Sequence, residues 1–245
     1  MPLVASADTL PRFPPVPHTF ERLLLPVFTE SVSGAYGSLF LTELRMSTKE
    51  SGQEAKVYGL EPGCDVSACI FRNLFEDYLP ITEVDQADFT HWGDPGWFLY
   101  VPKTDVESLT ANLRVYDITR DALNFGTEMP IVRSSEFIDN RIVLNGVPTD
   151  PRFRNTLRIY SALEIDVVVT VEGRAPVTLS LAGATDIFNP AYAIFTDFPI
   201  GSEPVNVTID VVHGPVPSIV SNAIWAFITV TNNETQLIST ITPQP

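Results

Sequence analysis

Three histidines, thirty carboxylates and two cysteines are the groups in this chain with obvious chemical potential. The histidines, His18, His91 and His213, all sit in Pro/Gly-rich turns, and no Gly-x-Ser-x-Gly elbow is present. A Ser-His-Asp hydrolase is therefore not written locally. Asp85, Asp88 and Asp94 flank His91 and Trp92, the place where acids and aromatic side chains converge. A carboxylate pair there would suit glycoside hydrolysis. Asp is also a favoured turn residue, because its side chain bonds nearby backbone amides, and that reading is preferred. If the chain has a ligand site, the expected one is the loop from Asp88 to Trp97. There the indoles of Trp92 and Trp97 could stack on sugar rings, with His91 and Asp94 as polar contacts. Trp97 opens an apolar run, so the expectation leans on Trp92.

Cys64 and Cys69 form one C-x4-C pair. A tetrahedral zinc site wants about four ligands, and this pair supplies two with no histidine before His91, so no metal is expected. A disulfide closing a tight loop is the preferred reading in an exported protein, with two buried thiols as the alternative. Asp117, Asp121 and Asp150 are oxygen donors of the kind calcium takes, but they are not spaced as a known loop. No phosphate loop, dinucleotide fingerprint or EF-hand series appears, so no cofactor is expected.

The sharpest local pattern is Asn140 to Ser161, NRIVLNGVPTDPRFRNTLRIYS. Pro148 and Pro151 lack an amide donor and bias their predecessors to extended backbone, so the loop between the two apolar-alternating runs is not helical. The runs read as strands joined by a long ordered turn. Strand alternation puts Asn155, Leu157 and Ile159 on one face, with Leu157 and Ile159 toward the core, and Thr156, Arg158 and Tyr160 on the other. Arg152 and Arg154 fall in or beside the turn. They read as structural forks pinning the loop to a carboxylate, Asp150 foremost, with Glu128 and Glu136 as alternatives. The competing functional reading is a clamp for an anion or a glycan carboxylate. Aligned on Phe40 and Phe153, the chain repeats an aromatic residue followed four positions later by Leu-Arg, then an apolar residue. This suggests a duplicated β unit.

These side chains need a scaffold. At 245 residues, 44% hydrophobic and 18% charged, the chain can bury a sizeable core and is not disordered. Abundant Thr, Val, Ile and Phe with 21 prolines suit an all-β protein with Pro-rich turns. Strands are expected from Arg22, over Leu39–Met46, Ala55–Leu60, Trp97–Val101 and Asn112–Asp117, then regularly from Arg141 onward. One or two helical turns are expected after Asn73, and one over Asp105–Leu109 from a Thr104-x-x-Glu107 capping box. Arg120 to Glu136 reads as a connector, and Asn232-Asn-Glu as a hairpin turn. A formal charge of -15 argues against nucleic acid and against anionic membrane surfaces. No apolar run nears the ~18 residues of a spanning helix, so no membrane insertion is expected. Ala5-x-Ala7 matches the small-residue pattern of a signal-peptidase site and suggests a trimmed secreted precursor.

Several motifs carry a resemblance. These are Phe40-x-x-Glu-Leu-Arg, Phe125-Gly-Thr-Glu-Met-Pro, the Gly146 to Tyr160 stretch and Ala226-Phe-Ile-Thr-Val-Thr-Asn-Asn-Glu-Thr. From about Leu23 onward the chain resembles uncharacterised secreted proteins of soil bacteria, Acidobacteria-like, built from immunoglobulin-like β-modules. The resemblance implies export and a β-sandwich, and it transfers no catalytic residue. The expectation is an all-β chain of two tandem immunoglobulin-like β-sandwich domains: a Pro-rich lead-in (1–19), then 20–133 and 134–245. Its expected role is a non-enzymatic structural, adhesion or protein-interaction module, secreted to the extracellular space or periplasm. The alternative is a carbohydrate-binding module or accessory domain of a glycan-active system. The partner is an unidentified protein or glycan.

Overall fold

The computed structural model describes residues 19–27, 32–49, 57–59, 72–73, 82–84, 96–119, 126–184, 188–212 and 223–244. Every regular element among them is a β-strand or a single 3-10 turn. The first ten strands are β1 (Phe20–Leu25), β2 (Val32–Ser33), β3 (Leu39–Thr48), β4 (Tyr58–Gly59), β5 (Arg72–Asn73), β6 (Thr82–Val84), β7 (Trp97–Pro102), β8 (Leu109–Asp117), β9 (Thr127–Met129) and β10 (Val132–Arg133). The remaining eight are β11 (Arg141–Val147), β12 (Phe153–Ser161), β13 (Asp166–Val171), β14 (Val177–Ser180), β15 (Ala191–Phe195), β16 (Val205–Val211), β17 (Ile224–Asn232) and β18 (Ile238–Ile241).

These strands form four antiparallel sheets. Two use only residues before Ser134, in the orders β10-β1-β7-β4-β5 and β2-β3-β8-β9 with β6 also on β3. Two use only later residues, in the orders β11-β16-β13-β14 and β15-β12-β17-β18. The two pairs repeat one strand order. β1-β7-β4-β5 corresponds to β11-β16-β13-β14, and β6-β3-β8-β9 corresponds to β15-β12-β17-β18. Register agrees as well. Phe40 pairs with Asp117 across β3 and β8, and Phe153 pairs with Asn232 across β12 and β17. Both partner residues then fold the chain in the same way. Asp117 Oδ1 accepts the Thr119 amide at 3.0 Å, and Asn232 Oδ1 accepts the Glu234 amide at 2.9 Å. The Phe40/Phe153 echo in the sequence thus marks equivalent strands, with Leu44 and Leu157 buried at the same step.

Alternation explains most of the burial. Leu157 and Ile159 join Ile142, Leu144, Val167, Val169, Val207 and Ile209 in one core between the two later sheets. The other core is built mainly by β1, β3, β7 and β8, and it also takes in Tyr160, Phe188, Trp225 and Phe227 from the later half. β17 is consequently buried on both faces: Ile224, Ala226, Ile228 and Val230 belong to one core, Trp225 and Phe227 to the other. Such a strand reads as a continuous apolar run rather than an alternating one. The halves are joined by specific bonds too. The Phe98 amide donates to the Phe188 carbonyl at 2.7 Å, and the Tyr160 hydroxyl donates to the Pro26 carbonyl.

Several expectations shift. β9 and β10 lie inside the stretch read as a connector, because short edge strands of two or three residues carry little pattern. Arg72 and Asn73 belong to β5, and the rest of the stretch expected to make helical turns, 74–79, lies outside the described residues. The turn near Glu107 is the 3-10 segment Val106–Ser108, without a side-chain cap; the Thr104 hydroxyl donates to Asp105 instead. In the β17–β18 turn the left-handed residue is Gln236, with φ 61°, rather than an asparagine.

Candidate functional site

The expected loop site is described only at its end. His91, Trp92 and Asp94 lie outside the described residues, as do Cys64 and Cys69. Trp97 is 2% exposed and stacks on Phe188, with centroids 5.9 Å apart. Its indole face packs in the core at the start of β7.

The turn between β11 and β12 is where several polar groups converge. Its shape comes from short-range bonds: the Phe153 amide donates to the Asp150 carbonyl at 2.9 Å, and Asn155 Nδ2 donates to the Pro148 carbonyl at 2.6 Å. Arg152 forks onto Asp150, with Nε to Oδ1 at 3.0 Å and Nη2 to Oδ2 at 2.9 Å. The guanidinium holds the Asp150 carboxyl below the usual range. That pair matches the expectation for Arg152.

Arg154 departs from it. Its Nη1 donates to Asn233 Oδ1 at 3.0 Å and its Nη2 to Gln236 Oε1 at 2.6 Å, and no carboxylate pairs with it among the described residues. Glu128 sits opposite Arg114 on β9, and Glu136 accepts the Arg133 amide at 3.1 Å, so neither reaches Arg154. The amide oxygens come from the β17–β18 turn, which folds across the β11–β12 turn: the Asn233 amide donates to the Arg152 carbonyl at 2.7 Å. The amide nitrogens are fixed elsewhere, Asn233 Nδ2 on Pro151 O at 2.9 Å and Gln236 Nε2 on Asn233 O at 2.6 Å. Their oxygens are thereby aimed at the guanidinium. Neutral acceptors hold the cation without neutralising it, and burial pushes the Arg154 pKa down.

A second feature lies at the far edges of the later sheets. β14 and β15 are edge strands, joined at one end by the Ala182–Tyr192 bridge. Beyond the bridge they border a recess of about 310 Å³, lined by Val169, Val171, Ala175, Val177 and Phe195. Arg174 and Asp197, an ion pair at 2.9 Å, line it as well. Tyr192 turns its amide and carbonyl toward Ala182, so by strand alternation those of Ile194 point outward as well. Ile194 and Val177 are exposed apolar residues on this rim. Sequence periodicity located both strands, but only the sheet order reveals that they are edges.

Compared with protein-family models, with curated proteins and with solved structures, the chain matches none. No helix among the described residues is long and apolar enough to cross a membrane. Among the described residues no three His, Cys, Asp or Glu side chains group as metal ligands.

Proposed function

We propose that the chain is a non-enzymatic interaction module, exported from the cell. In this reading 20–133 and 134–245 are two immunoglobulin-like sandwiches in tandem behind the Pro-rich lead-in at 1–19. The repeated strand order supports the two-sandwich reading. The observation that carries the functional reading is the β14–β15 rim, where two strands that are sheet edges among the described residues border an apolar recess. An exposed edge offers unpaired backbone donors and acceptors to another chain, and natural sheets usually protect such edges. The occupant that fits is an extended segment of a partner protein. It would add to β15 through backbone hydrogen bonds and place alternate apolar side chains between Val177 and Phe195. A peptide library selected on the immobilised protein tests this. Enrichment of alternating apolar segments that no longer bind Ile194→Lys is expected, because a charge at the edge opposes strand addition. Segments that bind Ile194→Lys equally well would move the site away from this edge.

A further inference from the structure

The recess at the β14–β15 rim carries a charge as well as an apolar lining. At about 310 Å³ it lies at the small end of ligand pockets, with room for a large side chain or two. Among the described residues that line it, Arg174 is the only cation. The β13–β14 turn puts it there: Gly173 takes φ 78°, and the Arg174 amide donates to the Val171 carbonyl at 2.9 Å. A guanidinium has five N–H donors. Among the described residues Arg174 gives one side-chain hydrogen bond, from Nη1 to Asp197 Oδ1 at 2.9 Å. The Asp197 side chain is 74% exposed, and an ion pair that open to water adds little to stability. Most of the planar fork therefore remains for a further acceptor beside an apolar hollow.

The strand edge next to it is short. Ala182 exchanges both backbone bonds with Tyr192 and closes β15 at that end. Ala193 and Phe195 turn their backbone groups toward β12 by alternation, and the Thr196 carbonyl accepts the Phe198 amide at 3.0 Å. Among the described residues, Ile194 is left as the position of β15 beyond the bridge that can pair outward. A partner segment gains few backbone bonds on so short an edge. Affinity then depends on what else the segment brings to the recess, and the group that matches the open side of Arg174 is a carboxylate.

Resting on the reading of this rim as a strand-addition site, we propose that it takes the C-terminus of a partner protein. The last side chain, bulky and apolar, enters the recess among Val169, Val171, Val177 and Phe195. The terminal carboxylate pairs with the open side of the Arg174 fork, in the planar geometry guanidinium favours. The residue before it pairs with the backbone of Ile194. A chain end is where an extended polypeptide carries a carboxylate on the same residue as an apolar side chain, and its capture beside a sheet edge combines two recurring modes of peptide recognition. In a chain of formal charge -15 an anionic ligand needs such a local cation. Asp197 orients Arg174 but also repels the incoming carboxylate, so it limits the affinity.

The test screens the full chain against hexapeptides randomised at their last three positions, presented once as free acids and once as carboxamides. Binders are then measured by fluorescence anisotropy. The expected binders end in a bulky apolar residue, and the acid binds at least about tenfold more tightly than its amide, as a charge-assisted bond requires. Arg174→Gln should bring the acid down to the level of the amide. Its thermal midpoint should stay level, because the ion pair it loses is exposed. Asp197→Asn keeps an acceptor for Arg174 Nη1 and removes the competing charge, so the acid should bind several-fold more tightly. Equal binding of acid and amide, or full affinity of the acid in Arg174→Gln, overturns C-terminal capture and leaves strand addition at the rim standing. No binder in either set overturns both. Dodecanoate binding more tightly than the best peptide overturns the assignment of a protein C-terminus.

Discussion

Tyr160→Phe isolates one bond between the halves. The Tyr160 ring is fully buried and packs against the stacked pair Trp225 and Phe227, at 6.4 and 6.5 Å. Phenylalanine preserves that packing and opens no cavity of consequence. What disappears is the hydroxyl that donates to the carbonyl of buried Pro26. A buried acceptor left without its donor costs about 1–3 kcal/mol. For a chain of this size each kcal/mol moves the thermal midpoint by about 2–4 °C. Urea unfolding at neutral pH, followed by tryptophan fluorescence, should show that loss. A second signature follows from ionisation. Burial raises the Tyr160 pKa, so its contribution is complete below the unfolded value near 10 and is lost as pH climbs above it. Above about pH 10 the wild type should therefore lose stability faster than Tyr160→Phe, and the two should converge. A difference within about 0.5 kcal/mol at neutral pH, or parallel alkaline limbs, would refute the assignment of this hydroxyl as an inter-half tie.

At Asp117 burial opposes ionisation, yet the hydroxyls of Ser38 and Thr119 and the amides of Thr119 and Leu39 outweigh it and hold the carboxyl at about 2. Asp117→Ala should cost about 2 kcal/mol at neutral pH, and its gap from wild type, read by urea titration, should close as pH falls from about 4 toward 2. Arg154→Ala should cost about 1–3 kcal/mol by leaving buried Gln236 without its donor, while exposed Arg152→Ala leaves stability essentially unchanged; the same denaturation assay separates them. Gly126→Ala should be the harsher of two glycine replacements in a thermal melt. Its Cβ would meet the Val115 carbonyl at 2.7 Å at a φ of 73°, whereas Gly146, at 71°, has nothing within 4 Å and loses only the conformational term of about 1 kcal/mol. Cys64 and Cys69 should appear linked when non-reduced peptides of exported protein are weighed, and two free thiols would end that reading.

The strands of the later half were legible because Arg141–Val147, Phe153–Ser161 and Val205–Val211 alternate cleanly, and the structure keeps that alternation. The Leu-Arg echo was legible too, since it sits on equivalent interior strands. β9 and β10 were not, being too short for a period to show. The fork of Arg152 onto Asp150 could be read because its partner lies two residues away. The partners of Arg154 lie 79 and 82 residues away, and local spacing says nothing about which turn folds across which.

The double burial of β17 bears on how the chain can be made and cut. A fragment holding only the later half would turn Trp225, Phe227 and Tyr160 toward water, an aromatic patch of the kind that drives self-association. A fragment ending before Ser134 would leave Trp97 and Tyr100 without Phe188. During synthesis the first half emerges before its cover exists, so its final packing waits for the last third of the polypeptide. A repeat of strand order is therefore not a licence to transplant either unit. Anyone expressing one alone should bring along a replacement for the missing aromatic face.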